Sequence, residues 1–402
     1  MSLGLGAHGL LAIISVWEFA AITLILVVSV YLFSDFLAGV REMRRRNRSP
    51  PPCRKPRIVV VVPVYSEPPD LVDASLGHWK EVSYPDLRIL VADDSPVPLR
   101  LRPREGVRII HRSDRAGFKG GALRNAMQYL DPETEWLVVC DADCIVNPDF
   151  LERMAVHFGD RVGAVQGYQQ MDRNKRQSLL TRYVGFAGYV ANAILAGRYR
   201  RGGFVASQGT VMAYNVRAIH SIGGLAPYLT VNEDLDTSFR LRMAGWRIIY
   251  DPSLAGSHLA AENYRIFFRQ QHRWTSSTIR EFRRHLPRFL MTHTVPLKER
   301  LDSVLFFMTW MVALVVSPTL LFVPFLGALW WQLPPGVSVI ITAFPIAFAM
   351  IGATAIGRPR QSLLLVLGYF LLLLPGFFVN FHAALSGLVR DGTFHRTEKH
   401  SS

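Results

Sequence analysis

The placement of apolar residues constrains this chain most. Residues 10–34 are apolar except for Glu18, and three further runs lie near 303–331, 337–356 and 362–388, parted by "QLPPG" and "GRPRQ". Each is about 20 residues or longer, enough to cross ~30 Å of hydrocarbon. A long polar stretch between the first run and the second must therefore fold outside the bilayer. The first run is expected to be an anchor and not a cleaved leader, because its basic cluster "REMRRRNR" follows it and no small-residue cleavage site comes before the domain.

Charge gives an orientation. The net charge of +14 gathers at Arg41, Arg44, Arg45, Arg46 and Arg48 on one side and at the arginines of 265–288 on the other. The positive-inside rule then places residues 41–300 in the cytoplasm and the N-terminus outside. A nucleic-acid partner is not expected, because the basic clusters hug apolar runs and carry no nucleic-acid fold signature. Cys53, Cys140 and Cys144 are expected to be reduced thiols, with neither a disulfide framework nor a zinc site.

Between the anchors, "RIVVVVPVYSEPPD" (57–70) reads as a buried strand whose Pro68-Pro69 opens a helix. Strands follow at 87–95, 107–112 and 135–144, and helices at 118–130 and 147–158. This alternation predicts an α/β, doubly wound and mostly parallel sheet, which binds ligands at the carboxyl ends of its strands. Those ends carry Tyr65, Glu67, Asp93, Asp94, Asp141 and Asp143, an acidic rim without G-x-G-x-x-G after the first strand. A dinucleotide site of the NAD type is thereby disfavoured.

Residues at i and i+2 of an extended segment point the same way, so Asp141 and Asp143 can face one cation. Oxygen ligands suit Mg²⁺ or Mn²⁺, which bridge phosphates. The plainer reading is that Asp-Ala-Asp ends a strand and caps the next helix. Lys119 sits near a helix start and can meet a phosphate, or be an ordinary solvated lysine. Gln208, Gly209 and Thr210 interrupt a strand-like segment, as close approach of a hydroxyl-rich ligand requires. "LTVNEDLDTSFRLRM" heads a helix with three acids; Asp236 is read as complementing the helix dipole, leaving Glu233 and Asp234 open as acid–base groups. Finally, Gln270, Arg273 and Trp274 share one face of an arginine-rich amphipathic helix, "YRIFFRQQHRWTSSTIREF", suited to a membrane surface.

In order, "VPVYSEPPD", "DDS", "RAGFKGGALRNA", "DADC", "SQGT", "NEDLDTS" and "QQHRW" resemble the membrane-integrated family 2 glycosyltransferases, the branch of cellulose, chitin and hyaluronan synthases. The resemblance covers about residues 57–285, with an echo at "TFHRTEKH" (393–400). It implies a GT-A, Rossmann-like cytosolic domain flanked by one N-terminal and about three C-terminal membrane segments, with amphipathic interface helices. The implied division is a transmembrane helix at 1–40, a basic linker at 41–56, the catalytic domain at 57–260 and interface helices at 261–300. A transmembrane region at 301–390 and a basic tail at 391–402, expected on the cytosolic side, complete it.

The resemblance also assigns roles. Tyr65, Glu67, Asp93 and Asp94 would hold the base and ribose of a nucleotide-sugar, most readily UDP-linked. Lys119 would meet the diphosphate, with Asp141 and Asp143 beside it as metal ligands for Mg²⁺ or Mn²⁺. Asp234 would be the general base and Glu233 its neighbour. Gln208, Gly209, Thr210 and Trp274 would line the acceptor site, and Gln270 and Arg273 would close over the phosphates. Asn232 and Cys144 depart from residues common in relatives (Thr and His), and His258 is a candidate further ligand.

The expected function is therefore inverting, metal-dependent sugar transfer at the cell membrane to a growing β-linked polysaccharide, coupled to export with or without accessory subunits. Transfer of one sugar to a lipid, giving a glycolipid, is the rival. A non-catalytic nucleotide-sugar-binding subunit is the third reading.

Overall fold

The computed structural model describes residues 2–43, 55–226, 231–330 and 359–389. Arg44, Arg45, Arg46, Arg48, Cys53, the 337–356 run and the "FHRTEKH" tail lie outside the described residues.

Eight strands form one sheet: β1 (Ile58–Val64), β2 (Arg88–Asp93), β3 (Val107–His111), β4 (Trp136–Val139), β5 (Ile145–Val146), β6 (Val162–Met171), β7 (Met212–Asn215) and β8 (Arg247–His258). Their order is β3-β2-β1-β4-β7-β6-β8-β5. The first half is wholly parallel, β3 to β2 to β1 to β4, as the helix-alternating sequence predicts. Beyond β4 the sheet is mixed: β7 runs antiparallel to β4 and β6, while β6 pairs parallel with β8. The expectation of a mostly parallel sheet thus holds for one half only. Val60, Val62, Val91 and Val138 fill one face of the parallel half, and Val61, Leu137 and Val139 fill the other. Burial on both faces explains the unbroken Val/Ile runs.

Short helices α2 (Pro69–His78), α3 (Phe118–Ala126), α4 (Phe150–Ala155), α6 (Val216–Ser221) and α7 (Glu233–Met243) cover the sheet. The long ones are α1 (Ser2–Met43), α5 (Leu179–Arg200), α8 (Tyr264–Met291), α9 (Leu297–Trp330) and α10 (Pro359–Val389). Among the described residues, three stretches are long and apolar enough to cross a membrane: Phe19–Met43, Leu179–Arg200 and Leu297–Pro318. The middle one was not among the expected segments.

Helix α5 is opened by a reciprocal cap, in which Ser178 Oγ accepts from Thr181 N and Thr181 Oγ1 accepts from Ser178 N, each at 3.1 Å. It packs backbone to backbone on α1. A Cβ on Gly197 would lie 1.7 Å from Asp35 O, and one on Gly39 would lie 1.6 Å from Ala193 O, so only glycine fits at either place. A polar pin joins α1, α5 and α9: Tyr31 donates to Asp302 (2.9 Å), Arg198 Nε donates to Tyr31 (3.0 Å) and Arg201 donates to Asp35 (3.0 Å). The carboxyl edge of the sheet and this helical layer close on a cavity between them.

Candidate active site

The carboxyl ends of the parallel strands build the first wall. Where β2 ends, the two aspartates part company, as consecutive residues of an extended chain must. Asp93 turns inward and accepts from Ser95 N (2.9 Å), Leu99 N (2.8 Å) and His111 (3.1 Å); it holds the turn and does not line the cavity. Asp94 does line it, gripped by the fork of Arg112 at 2.9 and 2.6 Å. At the end of β1, the carboxylate of Glu67 accepts from Tyr65 N. The guanidinium of Arg115 lies 3.3 Å from the centre of the Tyr65 ring. Sequence reasoning passed over Arg115. Its only signal is its place just before the left-handed Gly117 (φ +76°), which swings the chain into α3.

Lys119, in the first turn of α3, donates to Asp141 Oδ1 (2.6 Å) and to Gly209 O (2.7 Å). Burial works against its charge, but Asp141, Glu233 and Asp234 together raise its pKa. Beyond it, Asp143 is fully buried and accepts from Leu259 N (3.0 Å) and His258 Nδ1 (3.4 Å). Ligand atoms of Asp141, Asp143 and His258 all lie within 4.8 Å of one another. His258 Nε2 is buried without a hydrogen-bond partner among the described residues. Two carboxylates and a buried imidazole this close together fit a divalent cation such as Mn²⁺ or Mg²⁺. Cys144, by contrast, is turned into the core, and burial raises its thiol pKa.

The second wall comes from the S-Q-G-T turn, α7 and α8. Gly209 (φ +76°) admits Asp234 to the turn: Asp234 Oδ2 would lie 3.0 Å from a Cβ placed there. Val211 at φ +53° is a β-branched residue in the left-handed region, a local strain buried in the core just behind the turn. Gln166 moulds this turn from below, donating to Thr210 O (2.9 Å) and accepting from Gln208 N (2.7 Å). Thr210 stays behind the wall, where its hydroxyl accepts from Asp141 N (3.0 Å). Burial, then the neighbouring Glu233, pushes the Asp234 pKa up to about 7; burial raises Glu233 as well. Arg273 lies close enough to Glu233, Asp141 and Asp234 for all three to oppose the lowering that burial imposes on its pKa.

One cavity of about 620 Å³ therefore brings together Tyr65, Glu67, Asp94, Lys119, Asp141, Asp143, Gln208, Gly209, Glu233, Asp234, Gln270, Arg273 and Trp274. Of the residues named from sequence, Asp93 and Thr210 stand behind its wall. Toward the helical layer it is lined by Leu32, Val184, Ala187, Ile194, Phe306 and Trp310. Ser207 Oγ, Gln208 Oε1 and Trp310 Nε1, all of cavity-lining residues, are buried with no hydrogen-bond partner among the described residues. Asn232, the departure before Glu233, does not cap α7 but donates to Ser277 (3.2 Å) and Thr278 (3.3 Å) of α8.

The profile described as "Glycosyltransferase like family 2" matches residues 56–277, more than half of the chain. The chain belongs to glycosyltransferase family 2. Among curated proteins, this glycosyltransferase is 26% identical over 285 residues to glucomannan 4-beta-mannosyltransferase 7 of Arabidopsis thaliana, covering 65% of this chain and 50% of that one. It is 25% identical over 358 residues to glucomannan 4-beta-mannosyltransferase 1 of Oryza sativa subsp. japonica, covering 76% and 67%. The chain spans about half the length of the first of these relatives and about two thirds of the second. Among solved structures, the mannosyltransferase PcManGT from Pyrobaculum calidifontis, in complex with GDP-Man and Mn²⁺, shares the fold at a TM-score of 0.57 and 19% identity, covering 93% of this chain and 99% of that one. The glycosyltransferase thus has the GT-A arrangement, with its carboxylate edge and its Q-x-x-R-W helix on one cavity.

Proposed function

We propose that this enzyme transfers a hexose, with inversion, from a nucleoside-diphosphate sugar to a hydroxyl of a β-linked polysaccharide at the membrane. The single observation that carries the reading is the convergence of the D-A-D edge, Asp234 and the Arg273–Trp274 pair on one cavity. Asp94, Glu67 and the Tyr65–Arg115 stack form the end suited to a nucleoside, while Lys119 and Arg273 offer cations to the pyrophosphate from opposite sides. Asp141, Asp143 and His258 would hold a divalent cation, whose chemistry is to neutralise charge on the departing diphosphate. Asp234 takes the proton of the acceptor hydroxyl as its oxygen attacks the anomeric carbon. The bond from that carbon to the phosphate oxygen breaks on the far side, and its electrons leave with the nucleoside diphosphate. The raised pKa of Asp234 makes it a stronger base than an exposed carboxylate.

Mannose from GDP-mannose stands beside the uridine-linked donors expected from sequence, because the curated relatives are named mannosyltransferases and the structural neighbour holds GDP-Man. The apolar wall of Leu32, Val184, Ala187 and Ile194 favours a second reading, a lipid acceptor. The test is purified protein in liposomes with Mn²⁺ or Mg²⁺ and labelled GDP-mannose or UDP-sugars. Polymer of mixed length supports the first reading and a labelled lipid the second. Absence of turnover with every donor removes both.

A further inference from the structure

Helix α8 continues past the cavity. Residues 270, 273, 274, 277, 278, 281 and 285 recur at three- and four-residue steps, so one face runs from Gln270 to His285. The first half of that face lines the cavity, and the second half lies against α7. Asp234 and Asp236 are two residues apart on α7, about 200° around the helix, so one faces the cavity while the other points to its back.

At the back, Asp236 and Glu281 are both fully buried and His285 nearly so. His285 Nε2 donates to Asp236 Oδ1 at 2.8 Å and stands 3.6 Å from Glu281 Oε2. Its ring stacks on Phe239 of α7, with centroids 5.4 Å apart at 20°. Arg240 donates to Asp236 Oδ2 through Nε (2.9 Å), with Nη2 at 2.7 Å, and its Nη1 reaches Ile222 O (2.9 Å) and Gly224 O (2.8 Å). Arg284 completes the group, 3.2 Å from Glu281.

Asp236, Glu281 and His285 are near enough to one another to hold a cation. Arg240 and the imidazole already supply the counter-charge, so the arrangement is an ion-pair lock. Burial works against a charged His285 ring, but its hydrogen bond to Asp236 and the neighbouring Glu281 carboxylate prevail and raise its pKa. Neither Asp236, Glu281 nor His285 lines the cavity. Asn232, at the other end of the contact, ties the start of α7 to Ser277 and Thr278.

We propose that His285, through its buried pair with Asp236, is a positioning residue that fixes the base-bearing helix α7 against the helix carrying Arg273 and Trp274. The inference rests on the reading of Asp234 as the general base. Helices α7 and α8 bring the base and the arginine–indole pair, whereas most donor contacts come from the strand ends. Loosening the lock therefore displaces the base from the acceptor hydroxyl more than it disturbs the donor. A misplacement near 1 Å costs on the order of 10²-fold in rate.

The test is transfer kinetics on the full chain for His285→Ala, His285→Gln, Asp236→Asn and the Ala/Asn double variant, each expressed per nucleoside diphosphate-binding site counted by titration. For His285→Ala, kcat per site is expected to fall on the order of 10²-fold, with donor KM within about threefold. His285→Gln, which keeps a donor to Asp236, recovers part of the loss and guards against a variant that does not fold. The double variant is no worse than the poorer single one, as coupled partners require. Wild-type kcat per site in His285→Ala, or losses that multiply in the double variant, overturn the lock. An Asp234→Asn control separates the two readings: full transfer there removes the base assignment, while an inactive control beside an unaffected His285→Ala removes the lock alone.

Discussion

On the sheet side of the cavity, charges are paired: Asp94 with Arg112, Lys119 with Asp141, and Asp143 with His258 and Leu259 N. On the helical side, Ser207, Gln208 and Trp310 present buried polar atoms that have no partner among the described residues, and Val184, Ala187 and Ile194 line the same cavity. The two sides suit ligands of different kind. A preformed ionic frame holds a pyrophosphate with little reorganisation. Orphaned donors and acceptors beside apolar surface gain most from a partner that brings hydroxyls and a flat carbon face. Asp234 lines the same cavity, and in the proposed reaction it takes the proton of the acceptor hydroxyl.

This contrast can be broken in descending order of effect. Asp234→Asn should lower transfer by ~10²–10⁴-fold while leaving nucleoside-diphosphate affinity intact, read by paired kinetics and calorimetry. Next, Arg273→Lys keeps a charge but loses the fork, and hydrogen bonds to charged groups are worth ~1.5–3 kcal/mol, or roughly 10–100-fold in kcat/KM for the donor. Acidity gives the third effect. The base must be ionised, and burial places the Asp234 pKa at about 7. The profile of kcat/KM should therefore be level above that pH and fall as pH drops through it, to about a tenth one unit below. A limb near pH 4 would instead mean that the acting base is an exposed carboxylate. The smallest effect belongs to the helical side. Trp310→Leu should raise acceptor KM by about 2–10-fold, the worth of one ordinary hydrogen bond, with donor KM unchanged. A change in donor KM of the same size would erase the distinction between the two sides.

Much of the first side was legible because it depends on local geometry. Gln270, Arg273 and Trp274 share a direction through helical spacing, whereas Asp141 and Asp143 reach one cavity from a turn beyond the end of β4, closed by Cys144 N donating to Asp141 O (2.9 Å), and not from extended chain. The two-residue period of extended chain implies that Asp93 and Asp94 must diverge, though their adjacency does not say which of them faces the cavity. The second half of the sheet was hidden for another reason. Strand β6, "VGAVQGYQQM", mixes Gly and Gln into its buried positions, and Gln166 is buried to mould the S-Q-G-T turn, so no alternation marks it. Helix α5 carries Arg182, Asn192 and Arg198 within its apolar stretch, which breaks the run that identifies a membrane-length segment. From its place in the first turn Asp236 reads as a helix-dipole acid, yet its partner His285 lies 49 residues away on another helix. Such pairings follow from tertiary contact, and spacing along the chain does not encode them.

In the proposed reaction one donor pyrophosphate touches both sides at once. A structure of the enzyme with a non-hydrolysable nucleoside-diphosphate sugar and Mn²⁺ tests it most directly. Phosphate oxygens are expected within hydrogen-bond reach of both Lys119 and Arg273, with the anomeric carbon facing Asp234. A donor bound along the strand ends with Arg273 and Trp274 turned away from it would mean that the two sides do not act on one molecule.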